Sequence, residues 1–334
     1  MNNKQRVIAS VQHQRPDRIP YQLGFTQDAR RNLAAYYGDE HFTARLNNCF
    51  AGLDTAPANA WREIAPDIWE DEFGVQWNRS VDKDIGVVCN CRITPESLPD
   101  HPFPDPADPS RYAHYDAFIT AHPDDCAVAN LGFSLFERAW TLAGMETILM
   151  GMVTDPAFVH ALLDRILEHN LAIIDHACRY PIDVMHFGDD WGQQTGLIMG
   201  PELWRVFIKP RIRQMYQRVK SYGKLVSIHS CGKVDEVYPD LIGIGLDIFN
   251  PFQPEVMDVF EMKRRYGGDL TFYGGISTQR TLPFGTVQQV KDEVRRLLDR
   301  VGANGGYIAA PAHCIPGDAR PENMAAMIDV LNAQ

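Results

Sequence analysis

The sequence lacks the features that mark membrane, disulfide-stabilised and nucleic-acid-binding proteins. No apolar run approaches the roughly 18 residues of a membrane-spanning helix, and residues 1–10 have no apolar core or cleavage site of a secretory leader. Its 32 Lys and Arg against 43 Asp and Glu give a net charge of −11, opposite to the basic surface that nucleic acids and anionic membranes require. Seven cysteines, an odd number, stand in a chain of 334 residues that needs no crosslinks to bury a core. We expect a cytoplasmic protein with reduced thiols whose partner is a small molecule or another protein.

A dinucleotide-binding signature is also missing. No G-x-G-x-x-G run follows the first predicted strand, which argues against a nicotinamide or flavin fold of that type. The stretch 94–112 holds six prolines, so we interpret it as a surface connection. After it, apolar strands alternate with amphipathic helices. The predicted strands are 127–133, 183–189, 224–230, 246–252, 270–274 and 307–310, and the predicted helices are 155–179, 201–223 and 286–300.

This alternation predicts an α/β protein built on a parallel sheet. A further strand is predicted at 18–24, whereas 32–77 is interpreted as helices and turns, followed by a possible hairpin at 86–93. With roughly eight strands in one chain, we expect a (β/α)8 TIM barrel with an N-terminal helical and loop extension. The barrel is predicted to be a single domain over 1–334. Residues 1–112 would form the N-terminal part, and residues 113–334 the regular βα units.

In such a barrel the active site lies at the carboxyl ends of the strands. Polar residues stand at the ends of five of the predicted strands; they are Asp190, His229 with Cys231, Gln253, Tyr273 and Cys314. Each of them alone also fits a helix cap or a tight turn. Their recurrence at strand ends nevertheless marks this face of the sheet as the place to look for chemistry.

His229 and Cys231 form the most informative pair. Residues i and i+2 of a strand point to the same side, so an imidazole and a thiol would stand next to each other. Cys314 closes another strand, and if both strand ends face one opening, a nitrogen and two sulfurs converge. That donor set is typical of a catalytic zinc with an open fourth position. The alternative is a buried cysteine beside a core histidine, and the remaining five cysteines (Cys49, Cys89, Cys91, Cys126 and Cys178) are predicted to be packing residues.

Eight short motifs carry a family resemblance that extends over nearly the whole chain. They are RPDRIP (15–20), GDDWGQQTG (188–196), HSCG (229–232), NPFQ (250–253), GGI (274–276), GGYI (305–308), HCI (313–315) and PEN (321–323). At these positions the sequence resembles the uroporphyrinogen decarboxylase superfamily. The resemblance implies a (β/α)8 barrel, in agreement with the pattern of strands and helices.

Two departures point to a particular branch of that superfamily. The decarboxylase motif M-R-Q-A-G-R is not matched after the first predicted strand, since Arg30 and Arg31 come several residues late. The arginines that would bind the substrate carboxylates are therefore missing at the motif. The decarboxylase's closing G-H-G-I turn reads Ala312-His313-Cys314-Ile315 here. With a cysteine in place of the second glycine, this turn resembles that of the cobalamin-dependent methyltransferases of the coenzyme M type. That resemblance implies zinc held by His229, Cys231 and Cys314.

The implied activity moves a methyl group between a corrinoid and a thiol or another small methyl donor or acceptor, in either direction. Because no D-x-H-x-x-G signature occurs, methylcobalamin would arrive free or on a separate corrinoid protein, which becomes the expected partner. Asp190 and Glu137 are predicted as a general base or a resting zinc ligand. The predicted substrate contacts are Gln194, Gln253, Tyr273 and His313.

Two other functions remain open from the sequence. The first is a metal-independent decarboxylase acting on a small carboxylate or a tetrapyrrole-related substrate, which the superfamily and the pair Asp189 and Asp190 would favour. The second is a non-catalytic protein that binds a corrinoid or a tetrapyrrole. The metal content of the purified protein separates the methyltransferase from both alternatives. Visible absorbance from a bound tetrapyrrole would favour the non-catalytic binding protein.

Overall fold

A curled parallel sheet of seven strands forms the centre of the protein, which a computed structural model describes over residues 1–334. The chain has eleven strands: β1 (Phe50–Asp54), β2 (Arg62–Ala65), β3 (Ile68–Glu70), β4 (Gln76–Asn78), β5 (Val87–Val88), β6 (Cys126–Leu131), β7 (Val184–Gly188), β8 (Leu225–His229), β9 (Ile248–Phe252), β10 (Thr271–Ile276) and β11 (Tyr307–Pro311). The parallel sheet has the order β1-β6-β7-β8-β9-β10-β11. Every carboxyl end therefore lies at one edge of the sheet.

The curl of the sheet is visible in a small apolar cluster that joins strands far apart in this order. Val128 of β6, Val184 of β7, Ile248 of β9 and Ile308 of β11 pack together with Val7 near the amino terminus. Strands at opposite sides of a flat sheet would not share such a cluster, because neighbouring strands are spaced by about 4.8 Å. Burial of both faces also explains why these strands are continuous apolar runs.

Thirteen α-helices accompany the strands. They are α1 (Asn3–Val11), α2 (Gln27–Tyr37), α3 (Tyr115–Ala121), α4 (Phe136–Ala143), α5 (Met145–Thr154), α6 (Pro156–Ala177), α7 (Gly200–Leu203), α8 (Lys209–Ser221), α9 (Tyr238–Gly243), α10 (Val259–Tyr266), α11 (Thr281–Phe284), α12 (Val287–Arg300) and α13 (Pro321–Asn332). The Asp155 side chain caps α6 by accepting a hydrogen bond from the Phe158 N–H, and Pro156 takes the first helical position. None of these helices is long and apolar enough to span a membrane.

The predicted α/β alternation is confirmed, but the sheet has seven strands. The segment predicted as a strand at 18–24 makes only isolated parallel bridges, from Tyr21 to Asn48 and to Ala309. These bridges place Tyr21 between the two edge strands, β1 and β11. The predicted helix at 201–223 is also divided, because a π-helical turn at Trp204–Ile208 separates α7 from α8.

The region 32–77, interpreted from the sequence as helices and turns, contains β1 and three strands of a second sheet. That sheet is antiparallel, with the order β2-β3-β4-β5, and β5 lies in the predicted hairpin at 86–93. Its strands have two to four residues, too few for an alternating pattern to be seen. Buried Trp77 of β4 packs on Phe133, at a ring separation of 5.0 Å, and so attaches this sheet to the loop after β6.

Candidate metal centre

Three side chains with metal-binding atoms meet at the carboxyl edge of the parallel sheet. They are His229 at the end of β8, Cys231 two residues later and His313 after β11, and their ligand atoms lie within 4.8 Å of one another. The Cys231 Sγ is 3.3 Å from the His229 Nε2. The rings of His229 and His313 meet edge to face, with centroids 5.6 Å apart.

A neighbouring asparagine fixes the orientation of His229. Asn250 of β9 is the register partner of His229, and its Nδ2 donates to the Tyr273 carbonyl at 3.0 Å. The Asn250 Oδ1 is then left to face the His229 Nδ1, at 2.5 Å, and accepts its proton. The His229 Nε2 consequently carries the free lone pair, directed at Cys231. Histidine ligands of metals are held in this way by a second hydrogen bond.

The surroundings of Cys231 favour the thiol over the thiolate. Burial raises the pKa of Cys231, and the nearby carboxyl groups of Asp190 and Glu137 raise it further. The Asp190 Oδ1 accepts the Cys231 backbone N–H at 2.7 Å and lies 3.7 Å from the His229 Nε2. A divalent cation would offset both the burial and the negative charge, since a coordinating thiol loses its proton. This combination of sulfur, nitrogen and carboxylate donors fits zinc.

Two further carboxyl groups lie next to this group, and they differ in role. Asp189 is fully buried and accepts hydrogen bonds from the Leu135 and Glu137 N–H groups, at 3.2 and 2.8 Å, and from the Trp191 Nε1 at 2.5 Å. It thus caps α4, and burial raises its pKa to about 6. Burial, followed by the charges of Asp190 and Asp189, raises the pKa of Glu137 well above its usual value. These surroundings favour the protonated form of the Glu137 carboxyl group.

The structure brings together two of the three predicted zinc ligands, His229 and Cys231, and places His313 with them. Cys314 is outside the group. Cys314 stands in the bend that follows β11, and its Sγ lies 3.1 Å from the position that a Cβ would take at Gly24. The Ile315 N–H donates to the Gly24 carbonyl at 2.9 Å and fixes the end of this bend. Adjacent side chains diverge, and the sequence alone does not tell which of the two faces the opening.

The other predicted substrate contacts lie in three different settings. Gln253 is buried, and its Oε1 accepts the Gly232 N–H at 2.6 Å, so it supports the turn that carries Cys231. Tyr273 packs on Phe50 inside the sheet, with ring centroids 5.4 Å apart, and burial raises its pKa. Gln194 is exposed in the loop after β7. Their contact with substrate stays a prediction, as do the roles of Asp190 and Glu137.

Of the cysteines predicted to pack, Cys49, Cys126 and Cys178 are buried, whereas Cys89 and Cys91 are exposed. The exposed pair follows the short strand β5, where a packing position was wrongly expected.

A cavity of about 610 Å³ lies between the ends of β1 and β6, and no sequence pattern indicates it. Its volume is in the range that holds small ligands, roughly 300–1,000 Å³. Trp61, Phe73 and Phe133 provide part of the wall. The two guanidinium groups in the wall, Arg111 and Arg138, are each paired, with Glu72 and with Asp71. Arg111 comes from the turn before α3 and Arg138 from α4, so only the folded chain brings them together.

The family model for uroporphyrinogen decarboxylase (URO-D) matches residues 132–334, a stretch that contains His229, Cys231 and His313. Among curated relatives, a methylated-thiol–coenzyme M methyltransferase of Methanosarcina mazei is 23% identical over 163 residues, which cover 49% of this chain and 42% of the relative. A uroporphyrinogen decarboxylase of Edwardsiella ictaluri is 24% identical over 223 residues, covering 60% of this chain and 58% of the relative. The chain thus spans about half the length of the curated relatives it matches.

A solved structure of a methyltransferase from Methanosarcina mazei is similar over the whole molecule. Its TM-score is 0.75 at 17% identity, and the alignment covers 100% of this chain and 99% of that one. At such identity the likeness establishes a shared fold. It also accounts for the parallel sheet and for the position of its carboxyl edge.

Proposed function

This chain belongs to the uroporphyrinogen decarboxylase family, and within that family we propose a zinc-dependent methyltransferase that moves a methyl group between a corrinoid and a thiol or another small methyl donor or acceptor. The observation that carries the proposal is the pair His229 and Cys231. Asn250 leaves the His229 Nε2 unprotonated and facing the Cys231 Sγ, 3.3 Å away. The alternative of a core histidine beside a buried cysteine is less suitable, because both side chains are half-buried at the edge of the sheet.

The proposed zinc ligands are His229, Cys231 and, from the resemblance, Cys314. Two thiolates would neutralise the formal charge of the ion. When bound, zinc would supply Lewis acidity, which makes a coordinated thiol a nucleophile or a coordinated heteroatom a better leaving group.

We propose different roles for the carboxyl groups of Asp190 and Glu137. Asp190 holds the Cys231 backbone through a 2.7 Å hydrogen bond and so sets the direction of the thiol. Burial and its acidic neighbours raise the pKa of Glu137 and so favour its protonated form. We assign to the Glu137 carboxyl the proton that a donor's heteroatom takes up when the methyl group leaves, or, in the reverse direction, the proton given back.

We propose that the cavity between β1 and β6 receives part of the substrate, and its lining then favours a substrate without several carboxylates. Its two arginines already pair with Glu72 and Asp71, so no guanidinium in the wall is free to bind a porphyrinogen's acid groups. Gln194, Gln253, Tyr273 and His313 are proposed as substrate contacts. The corrinoid is proposed to come from a separate corrinoid protein that docks at the carboxyl edge of the sheet. We further propose that the segment at Tyr21 completes a (β/α)8 barrel as its eighth member.

A metal-independent decarboxylase is the second candidate, and the cluster of Glu137, Asp189 and Asp190 is the observation that favours it. Carboxyl groups with raised pKa are suited to protonate a carbanion left by loss of carbon dioxide. This candidate requires neither zinc nor a corrinoid.

Methyl transfer is the experiment that separates the two candidates. The purified protein is incubated with methylcobalamin and a panel of thiols, and in reverse with methyl donors and reduced cobalamin, while the corrinoid absorbance is followed. We expect demethylation of methylcobalamin with at least one thiol, or its formation from at least one donor, abolished in Cys231→Ser. Transfer in neither direction, together with carbon dioxide release from a carboxylate, would favour the decarboxylase.

A further inference from the structure

His313 is the member of the metal-binding group that the zinc signature does not include. Its ring meets the ring of His229 edge to face, and its ligand atom lies within 4.8 Å of those of His229 and Cys231. The edges of a zinc-centred tetrahedron of nitrogen and sulfur ligands are about 3.3–3.8 Å, from bond lengths of about 2.0–2.3 Å. The separations in the group are thus no more than about 1.5 Å beyond that geometry.

The three side chains of the group differ in how firmly they are held. His229 is fixed by the Asn250 Oδ1, and Cys231 by the hydrogen bond of its N–H to Asp190. The Cys231 turn is also crowded, since a Cβ at Gly192 would lie 2.5 Å from the Cys231 carbonyl oxygen. The His313 ring, by contrast, makes no hydrogen bond to a side chain, and it stands on a bend rather than on a strand. His313 is therefore the side chain of the group that can move away from the other two.

His313 also lies on the side from which a substrate arrives. It is the exposed member of the group, whereas His229 and Cys231 are half-buried. A catalytic zinc keeps one position for water or substrate, and that position must face the opening. A histidine that reaches the ion from the open side therefore occupies the position that the substrate needs.

Resting on the zinc site proposed above, we propose that His313 is a zinc ligand at rest and that the substrate thiol displaces it. Cys314 lies outside the group in this structure and is a ligand only by the resemblance. With Cys314 counted as the second thiolate, the resting site has two nitrogens and two sulfurs, and the substrate-bound site one nitrogen and three sulfurs. The bond from the histidine nitrogen to the ion breaks and a bond from the substrate sulfur forms. The thiol proton passes to the freed His313 imidazole, and the ring returns to solvent. His313 thereby keeps the site closed to other ligands until a sulfur of higher affinity enters.

The test is X-ray absorption at the zinc edge, which counts nitrogen and sulfur neighbours without any turnover. Wild type, His313→Ala and His313→Gln are loaded with zinc and measured with and without ethanethiol, with His41→Ala as a control at an exposed histidine outside the group. We expect both His313 variants to lose one nitrogen neighbour and to keep the sulfur count. Ethanethiol should exchange one nitrogen for one sulfur in wild type, but add a sulfur without loss of histidine nitrogen in the variants.

Zinc affinity gives a second readout, by competition with a chromophoric chelator. Loss of His313 should weaken zinc binding by roughly 10- to 100-fold, at least as much as loss of a partner that only orients a ligand. Zinc spectra and affinities that are identical in His313→Ala, His41→Ala and wild type would overturn the inference while leaving the proposed function intact. A wild-type protein that binds no zinc would instead refute the proposed function itself.

Discussion

Replacement of Asn250 is expected to weaken metal binding although Asn250 contributes no ligand. Asn250→Leu removes the acceptor that lies 2.5 Å from the His229 Nδ1. The imidazole proton is then free to move to Nε2, where it blocks the lone pair that faces Cys231. Loss of such an orienting partner costs about 10- to 100-fold in metal affinity, or about 1.4–2.7 kcal/mol. Asn250→Asp keeps an acceptor at the same place, so its affinity should stay at or above that of wild type.

The assay is competition for zinc against a chromophoric chelator at neutral pH. Asn323→Leu is the matched control, because Asn323 is also buried and its Nδ2 donates to the Leu282 and Gly285 carbonyls, both at 2.9 Å. It should lower thermal stability without changing zinc affinity. Equal zinc affinities for Asn250→Leu, Asn250→Asp and wild type would refute the assignment of Asn250 as the residue that sets the tautomer of His229.

Three other perturbations follow from the structure. Burial, together with the charges of Arg111 and Arg138, lowers the pKa of His169 to about 3, against about 6.5 in the unfolded chain. Between pH 6.5 and pH 3 the unfolded state therefore binds a proton that the folded state does not. The free energy of unfolding should fall as the pH drops below about 6.5, by about 2 kcal/mol at pH 5. His169→Gln should flatten the change in urea midpoint between pH 7 and pH 5, and a midpoint that changes with pH as much as in wild type would contradict the buried neutral imidazole. Glu137→Gln should preserve zinc content but lower kcat for methyl transfer by roughly 10²- to 10⁴-fold, the range for removing a general acid; an unchanged kcat would exclude Glu137 from proton transfer. Gly192→Ala would place a Cβ 2.5 Å from the Cys231 carbonyl oxygen, and we expect it to lower the free energy of unfolding by about 1–3 kcal/mol and to weaken zinc binding. Gly268→Ala is the control, because no atom lies within 4 Å of the new Cβ, and it should resemble wild type in both measurements.

The parallel strands could be predicted because each is an apolar run that ends in polar residues. β8 was predicted at 224–230 and spans Leu225–His229, and β7 was predicted at 183–189 and spans Val184–Gly188. Burial on both faces of a parallel strand leaves a strong sequence signal. The same strand ends correctly located His229 and Cys231 at one edge of the sheet.

The parts that were missed depend on contacts between distant segments. The strands of the antiparallel sheet are two to four residues long, and β1 contains Gly52, so neither has a periodic pattern. Which of His313 and Cys314 faces the opening is decided by the bend after β11, where the Ile315 N–H is tied to the Gly24 carbonyl. The role of Asn250 depends on its register with β8, which no local pattern reveals.

A catalytic zinc at this edge of the sheet would be visible in the zinc content of the purified protein. Elemental analysis of wild type, Cys231→Ser and His229→Ala, each checked for native folding by circular dichroism, gives the ratio of zinc to protein. We expect about one zinc per chain in wild type, as in catalytic sites with three protein ligands, and its loss in both variants. A folded wild-type protein that remains free of zinc after incubation with the metal would contradict it.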